Sequence, residues 1–346
     1  VRTRSTDFWA ASDTFVSGAK RVDLAKCRTK VETIMIPNPP PRRPQLGFLY
    51  VHPYRVQGIS IAGEETFVQI PELDVCFDIG RAPRAALNSD FVALSHGHMD
   101  HSAALAYYFS QRHFQGIGTG TVICHPRLEE PIRNVMSAWV DLEAQRTPHN
   151  IVALEPDQEH TIKNNIDLRA FATKHTVPSL GYIAIEKRSK LREEFVGLPQ
   201  PKLVELKKDG VDITKVHDIP LVCFTGDTMW GEHFDRPDVL NAQILITECT
   251  FLEPEHRSRA DVGKHLHLEH IAQLMEKSQA EAVVLTHLSR RTHISEAKQM
   301  IAEAIPRKHH DRLLILMDNK SNRLRYEQQV AEAEAQHPAQ AQTQAK

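Results

Sequence analysis

Several things this chain lacks narrow what it can be. No run approaches the ~18 consecutive apolar residues that a membrane-spanning helix needs, and the first residues lack the short apolar core of a secretory signal. The five cysteines, Cys27, Cys76, Cys124, Cys223 and Cys249, are odd in number and form no C-x-x-C pair, which speaks against a disulfide framework. Four of them lie inside apolar runs, so buried reduced thiols and a reducing, cytoplasmic setting are expected. Large net charge is also missing. At a formal −2 no global positive field advertises nucleic acid, and any such contact must come from a local basic patch. No internal repeat is visible.

The chain has 346 residues, 41% of them apolar and 25% charged. That is enough for one large domain or two medium ones with a sizeable core. Residues 1–45 carry no assignable pattern and end in a proline-rich linker, "PNPPPRRP" (Pro37 to Pro44). The body spans 46–320. Residues 321–346 are expected to be a disordered tail, whose low-complexity Ala/Gln segment starts as frayed helix and passes into disorder. Within the body, short β-rich runs recur ("TFVQI", "DVCFDI", "FVALS", "TVICH", "LRAFAT", "GYIAIE", "LVCFTG", "ILITEC", "AVVLTH", "LLILMD"), many followed by a turn or a helical pattern. Amphipathic helices are expected over Glu129 to Gln145 and Leu268 to Ser278. Strands alternating with helices indicate an α/β layered fold, with reactive groups on strand-to-loop junctions at one sheet edge.

Histidine is abundant, at 20 residues, and it is the commonest metal ligand. Four metal-seeking side chains crowd into "SHGHMDH" straight after an apolar run. His96 and His98, two apart on an extended loop, can face one point; Asp100 and His101, on the following turn, can face another. Gly97 is expected to keep the loop thin. Three more donors end β-rich runs: His175 after "LRAFATK", Asp227 in "CFTGDT" and His287 in "VVLTH". Each alone is a weak signal. Together they make seven donors, which suits two cations with three ligands each and one bridge.

These segments resemble the metallo-β-lactamase fold and, within it, ribonuclease Z, the tRNA 3′-processing endonuclease, in its short, eukaryotic-like form. "GISIAGEETFV" and "VCFDIG" resemble the family's opening strands, and "HTVPSLGY" its third-histidine segment. "LREEFVGLPQPKLVELKKDGVDIT" resembles the insert before "FTGDT". "TECTFLE", "HLHLEH" and "THLSRR" follow in family order. The likeness covers about 50–295. The H-x-H-x-D-H signature is shared by many hydrolases; the insert with "FTGDT", and "TECTF" with "HLHL", are far more specific.

The resemblance implies an αββα sandwich and a two-metal phosphodiesterase that removes 3′ trailers from precursor tRNA. His96, His98 and His175 would hold one cation, Asp100, His101 and His287 the other, and Asp227 would bridge. With only N and O donors, zinc is the default and manganese an alternative. A metal-bridging hydroxide would attack the scissile phosphodiester, with Asp100 as a proton acceptor. Glu248 and His265 match the pair that supplies and orients a proton for the leaving oxygen; His267, two residues on, stays open as the donor. Asp78 would orient the metal loop, and Arg291 would meet phosphate. Family members are commonly homodimers.

The insert, about 187–215, falls where the family carries its RNA-gripping arm. Lys187, Arg188, Lys190, Arg192, Lys202, Lys207 and Lys208 would meet phosphates there, unless they form a solvated helical surface. The stretch "KVHDIPLVC" lacks the basic, glycine-containing run of bacterial members, so discrimination of CCA ends is not implied. The competing readings are another hydrolase of this fold, acting on a small phosphodiester, thioester or lactone, and a non-catalytic RNA-binding protein.

Overall fold

The computed structural model describes residues 46–336. The expectations for residues 1–45, Cys27 and the proline-rich linker included, and for 337–346 lie outside them. In chain order, β1 (Gly47–Val51), β2 (Tyr54–Ile61), β3 (Glu65–Ile70) and β4 (Val75–Phe77) form an antiparallel meander. β5 (Phe91–Ala93), β6 (Thr121–Cys124) and β7 (Asn150–Ala153) extend it in parallel, giving seven strands in chain order. The second sheet repeats the plan. β8 (Glu159–Lys163), β9 (Ile166–Ala172), β10 (Leu180–Leu191) and β11 (Thr214–Phe224) are antiparallel; β12 (Ile244–Glu248), β13 (Ala282–Thr286) and β14 (Leu313–Ile315) follow in parallel.

Alternation along each strand sets the layers. Val222 and Phe224 of β11, Ile244 and Ile246 of β12, and Ala282 and Val284 of β13 face the other sheet, whose Val75, Phe77, Ala93 and Ile123 meet them. Phe77 and Phe224 stack across the gap at 4.9 Å between centroids. The intervening residues Cys223, Leu245 and Val283 turn outward under α7 (Leu268–Lys277) and α8 (Ile294–Ala304), which follow α4 (Gln200–Lys208), α5 (Pro237–Leu240) and α6 (Arg257–Gly263). On the first sheet Val92, Val122 and Cys124 pack under α2 (Leu105–Phe114) and α3 (Pro126–Glu143), which follow the single turn α1 (Met99–Ser102). Strands buried on both faces read as unbroken apolar runs, which is why their positions were predictable. The result is the expected αββα sandwich. Tyr182 ties the layers: its hydroxyl, fully buried, donates to Leu94 O at 2.8 Å and also lies 3.2 Å from Ile123 O. Cys76, Cys124, Cys223 and Cys249 are buried and free.

Two expectations need correction. The tail does not become irregular at residue 321, because α9 (Asn319–Gln336) continues through it. Asn322, buried, donates to Ile315 O and Leu316 O, and Tyr326 meets Phe48 edge-on at 5.5 Å. Gly97 is not what keeps the metal loop thin: it is exposed, and a Cβ there would meet only Leu128 Cδ2, at 3.3 Å. The tight approaches lie at Gly80, where a Cβ would fall 1.7 Å from Asp100 O, and at Gly226, where φ is +60° and a Cβ would fall 2.6 Å from Ser95 Cβ.

Candidate metal centre and active site

The C-terminal ends of β5, β9, β11, β12 and β13 lie at one edge of the sandwich, and the loops leaving them converge. His96 bridges to Ser179 across the two sheets, which pins the metal loop against the second half of the chain. The seven anticipated donors meet there. His98 Nδ1 lies 3.0 Å from His96 Nε2 and 3.3 Å from His175 Nε2. Asp100 Oδ2 lies 3.4 Å from both His101 Nε2 and His287 Nε2, which are themselves 3.4 Å apart. Asp227 Oδ2 sits between the sets, 3.3 Å from His101 and His287 and 3.9 Å from His96. Two ligands about 2.0–2.1 Å from a tetrahedral ion stand about 3.3 Å apart, so these separations suit shared cations.

On four of the five histidines the ring nitrogen turned away from the cluster is also held, which fixes the tautomer and orientation of a metal-binding imidazole. His96 Nδ1 meets Ser95 Oγ at 2.9 Å, and His101 Nδ1 meets Asp78 Oδ2 at 2.7 Å. His175 Nδ1 donates to Lys264 O at 3.2 Å, and His287 Nδ1 meets Thr250 Oγ1 at 2.9 Å. Asp78 is fully buried, and burial pushes its carboxyl pKa up against the opposing pull of His101. It accepts from both the backbone N and the Oγ of Ser95, so with His101 it holds the metal loop at both its ends. Gly63 N donates to Asp100 Oδ2 at 3.0 Å.

Glu248 ends β12 with its carboxylate buried. It accepts from Thr228 N at 2.7 Å and Thr250 Oγ1 at 2.6 Å, and both its oxygens lie 3.0 Å from His265 Nδ1. Burial works against a charge on His265, but the Glu248 carboxylate outweighs it and raises the pKa to about 9. The His265 side chain keeps 17% of its surface exposed, so its Nε2 can meet a ligand. His267 is placed differently. It is buried, its Nδ1 accepts from Glu269 N, and its Nε2 donates to Glu253 O, which makes it the cap of α7.

A cavity of about 400 Å³ opens on this cluster, lined by His98, Asp100, Asp227, His265 and His287 and also by Thr250, Phe251, Arg259 and Arg291. Arg291 is exposed at its wall. Thr250, Ser95 and Lys264 were missed by sequence reasoning. A lone hydroxyl or lysine beside a motif carries no spacing signal, and only the fold shows that Thr250 links Glu248 to His287. Lys264 clasps His175 from both sides, since its carbonyl accepts from the ring and its Nζ donates to His175 O at 2.8 Å.

The insert is a hairpin. β9 pairs with β10 only through Glu186, so residues 187–191 continue as a two-stranded ribbon with β11, and α4 lies in the connection between them. Four of the seven basic side chains anticipated there already have acidic partners: Lys187 meets Glu159 and Asp218, Arg188 meets Glu186, Arg192 meets Asp212, and Lys202 meets Glu205. Among the described residues Lys190, Lys207 and Lys208 have no such pairing.

Residues 74–288 match the family model described as a beta-lactamase superfamily domain. Fold, donor set and that match define the class: a metal-dependent hydrolase of this superfamily. The tRNase Z TRZ1 of Arabidopsis thaliana is 33% identical over 264 residues, covering 75% of this chain and 93% of that protein. The nuclear ribonuclease Z of Triticum aestivum is 35% identical over 166 residues, 48% of this chain and 94% of the relative. Among solved structures, the metallo-beta-lactamase fold protein YhfI from Bacillus subtilis superposes with a TM-score of 0.53 at 18% identity, over 74% of this chain and 93% of that one, a likeness of fold. The chain belongs to the ribonuclease Z family.

Proposed function

We propose that this protein is a divalent-metal-dependent endoribonuclease that removes 3′ trailers from precursor tRNA. The observation that carries the reading is the Glu248–His265 pair opening on the same cavity as the seven-donor cluster. A small-molecule hydrolase of this fold has no need for such a pair when its leaving group is good; a ribose 3′-oxygen is a poor leaving group and needs a proton. His96, His98 and His175 would hold one cation and Asp100, His101 and His287 the second, with Asp227 within reach of both; zinc fits the nitrogen-rich set, and manganese is the alternative. Bound there, the ions activate water as a nucleophile near neutral pH and offset charge on the phosphoryl oxygens.

The remaining steps belong to side chains. Glu248 fixes the Nδ1–H tautomer of His265 and favours its protonated form, so Nε2 carries a proton to the leaving 3′-oxygen. Asp100, oriented by Gly63 N, accepts the proton that the attacking water gives up. Arg291 faces the phosphate at the cavity wall. Lys190, Lys207 and Lys208 on the ribbon meet RNA phosphates at a distance from the cut. We read the protein as a cytoplasmic homodimer. Buried, free cysteines support a reducing compartment, and among the described residues no helix is long and apolar enough to cross a membrane.

The test is cleavage of a precursor tRNA with both product ends mapped. We expect one cut just after the discriminator base, lost with a chelator and restored by Zn2+ or Mn2+. Hydrolysis of a small phosphodiester with no cut in any precursor would favour the small-substrate alternative.

A further inference from the structure

Two residues lining the cavity have no part in the roles above. Phe251 and Arg259 both lie on the stretch that joins the strand of Glu248 to His265, and both border the cavity. Phe251 is half-buried. Its backbone is held on both sides, with N donating to Leu266 O and O accepting from Leu268 N at 3.0 Å. Its ring stands edge-on to His265, centroids 6.0 Å apart. An aromatic ring is thus held firmly beside the imidazole that carries the proton. Arg259, on α6, is exposed. Two residues earlier Arg257 is engaged with Asp261 and Glu269, whereas Arg259 makes no ion pair among the described residues.

A fixed aromatic face and an uncommitted guanidinium on the wall of one phosphodiester-sized cavity are the two elements by which proteins hold unpaired nucleotides: the ring stacks on the base and the cation meets a neighbouring phosphate. We propose that Phe251 and Arg259 form a nucleotide subsite beside the scissile phosphate. Phe251 stacks on the base of the nucleotide just 5′ of the cut, and Arg259 binds an adjacent phosphate. The side follows from chemistry. His265 serves the leaving 3′-oxygen, so the ring next to it faces the nucleoside that bears that oxygen. The inference rests on the endoribonuclease reading.

The experiment uses three substrates with the full-length protein: a precursor tRNA, the same RNA with an abasic ribose at the nucleotide 5′ of the cut, and methyl p-nitrophenyl phosphate. Phe251→Ala should raise KM for the intact RNA by roughly ten- to a hundred-fold, the range of one stacked base. It should match wild type on the abasic RNA, and Phe251→Trp should restore the intact substrate. Arg259→Gln should lower the salt slope of RNA binding by about one. Turnover of the small ester should stay unchanged in each variant. Equal losses from Phe251→Ala on intact and abasic RNA would make the ring structural and overturn the subsite, as would an unaltered salt slope in Arg259→Gln. If wild type cleaves the small ester but no RNA, the endoribonuclease reading falls, and the subsite with it.

Discussion

At the scale of single residues, His265 turns its Nδ1 to Glu248, while His267, two positions on, caps the first turn of α7. Their spacing cannot tell them apart, since both flank one apolar residue and precede the same helix; the carboxylate they can reach does. Replacing His265 with alanine should lower single-turnover cleavage by about 10²- to 10⁴-fold and leave metal content unchanged. His267→Ala should leave chemistry near wild type and cost about 1 kcal/mol of stability through the lost cap, read in a urea melt. The reverse pattern would move the proton donor to His267. The donors themselves were legible because four crowd into one short motif after β5 and the other three end β-rich runs. Lys264 was not, because its effect runs through a backbone carbonyl and a long side chain. Lys264→Met removes the ammonium from His175 O and should weaken metal binding by about tenfold, the lower end for lost supporting contacts, measured by chelator competition. Unchanged affinity would leave Lys264 without a positioning role.

Among the elements, the ribbon of β10 and β11 departs most from its sequence. Basic residues dominate the insert when counted along the chain, but folding brings Glu159 and Asp218 to Lys187 and Asp212 to Arg192. Those partners come from neighbouring strands and turns, out of reach of a window along the sequence. Lys190, Lys207 and Lys208, changed together to alanine, should weaken RNA binding and reduce the salt slope by up to about three. Lys187→Ala should leave the slope near wild type and act on thermal stability. Equal slopes for the triple variant and wild type would remove the ribbon from the interface. One edge strand was similarly hard to read. β8 ("EHTIK") is mostly exposed, so no apolar run marks it. The start of α9 escaped for a related reason: Asn322 is its one buried residue, and hydrogen bonds rather than an apolar stripe help fix it.

For the whole molecule, acid should be destabilising well above the carboxylate range. Burial, with help from nearby cations, lowers the pKa values of His233 and His270 to about 4. In the unfolded chain both would titrate near 6.5. Between about pH 6.5 and 4 the unfolded state therefore binds more protons, so stability is intact above that window and falls as pH drops through it. The slope reaches about 2.7 kcal/mol per pH unit for the pair. Urea midpoints at pH 5 and pH 7 should differ less in His233→Gln/His270→Gln than in wild type; equal differences would discount the two rings. The doubled topology also belongs to this scale. Each half runs from an antiparallel meander into parallel strands, although no repeat shows in the sequence, because the halves share a path for the backbone and not the side chains along it.

That doubling carries a consequence for how the protein matures. The loop after β5 supplies four of the seven donors from the first half, and the loops after β9, β11 and β13 supply the other three from the second. Neither half, made alone, owns a complete cage. The donor set is complete only once β13, which carries His287 at its end, has joined the second sheet. Ions held by the full set would therefore latch the seam between the two halves.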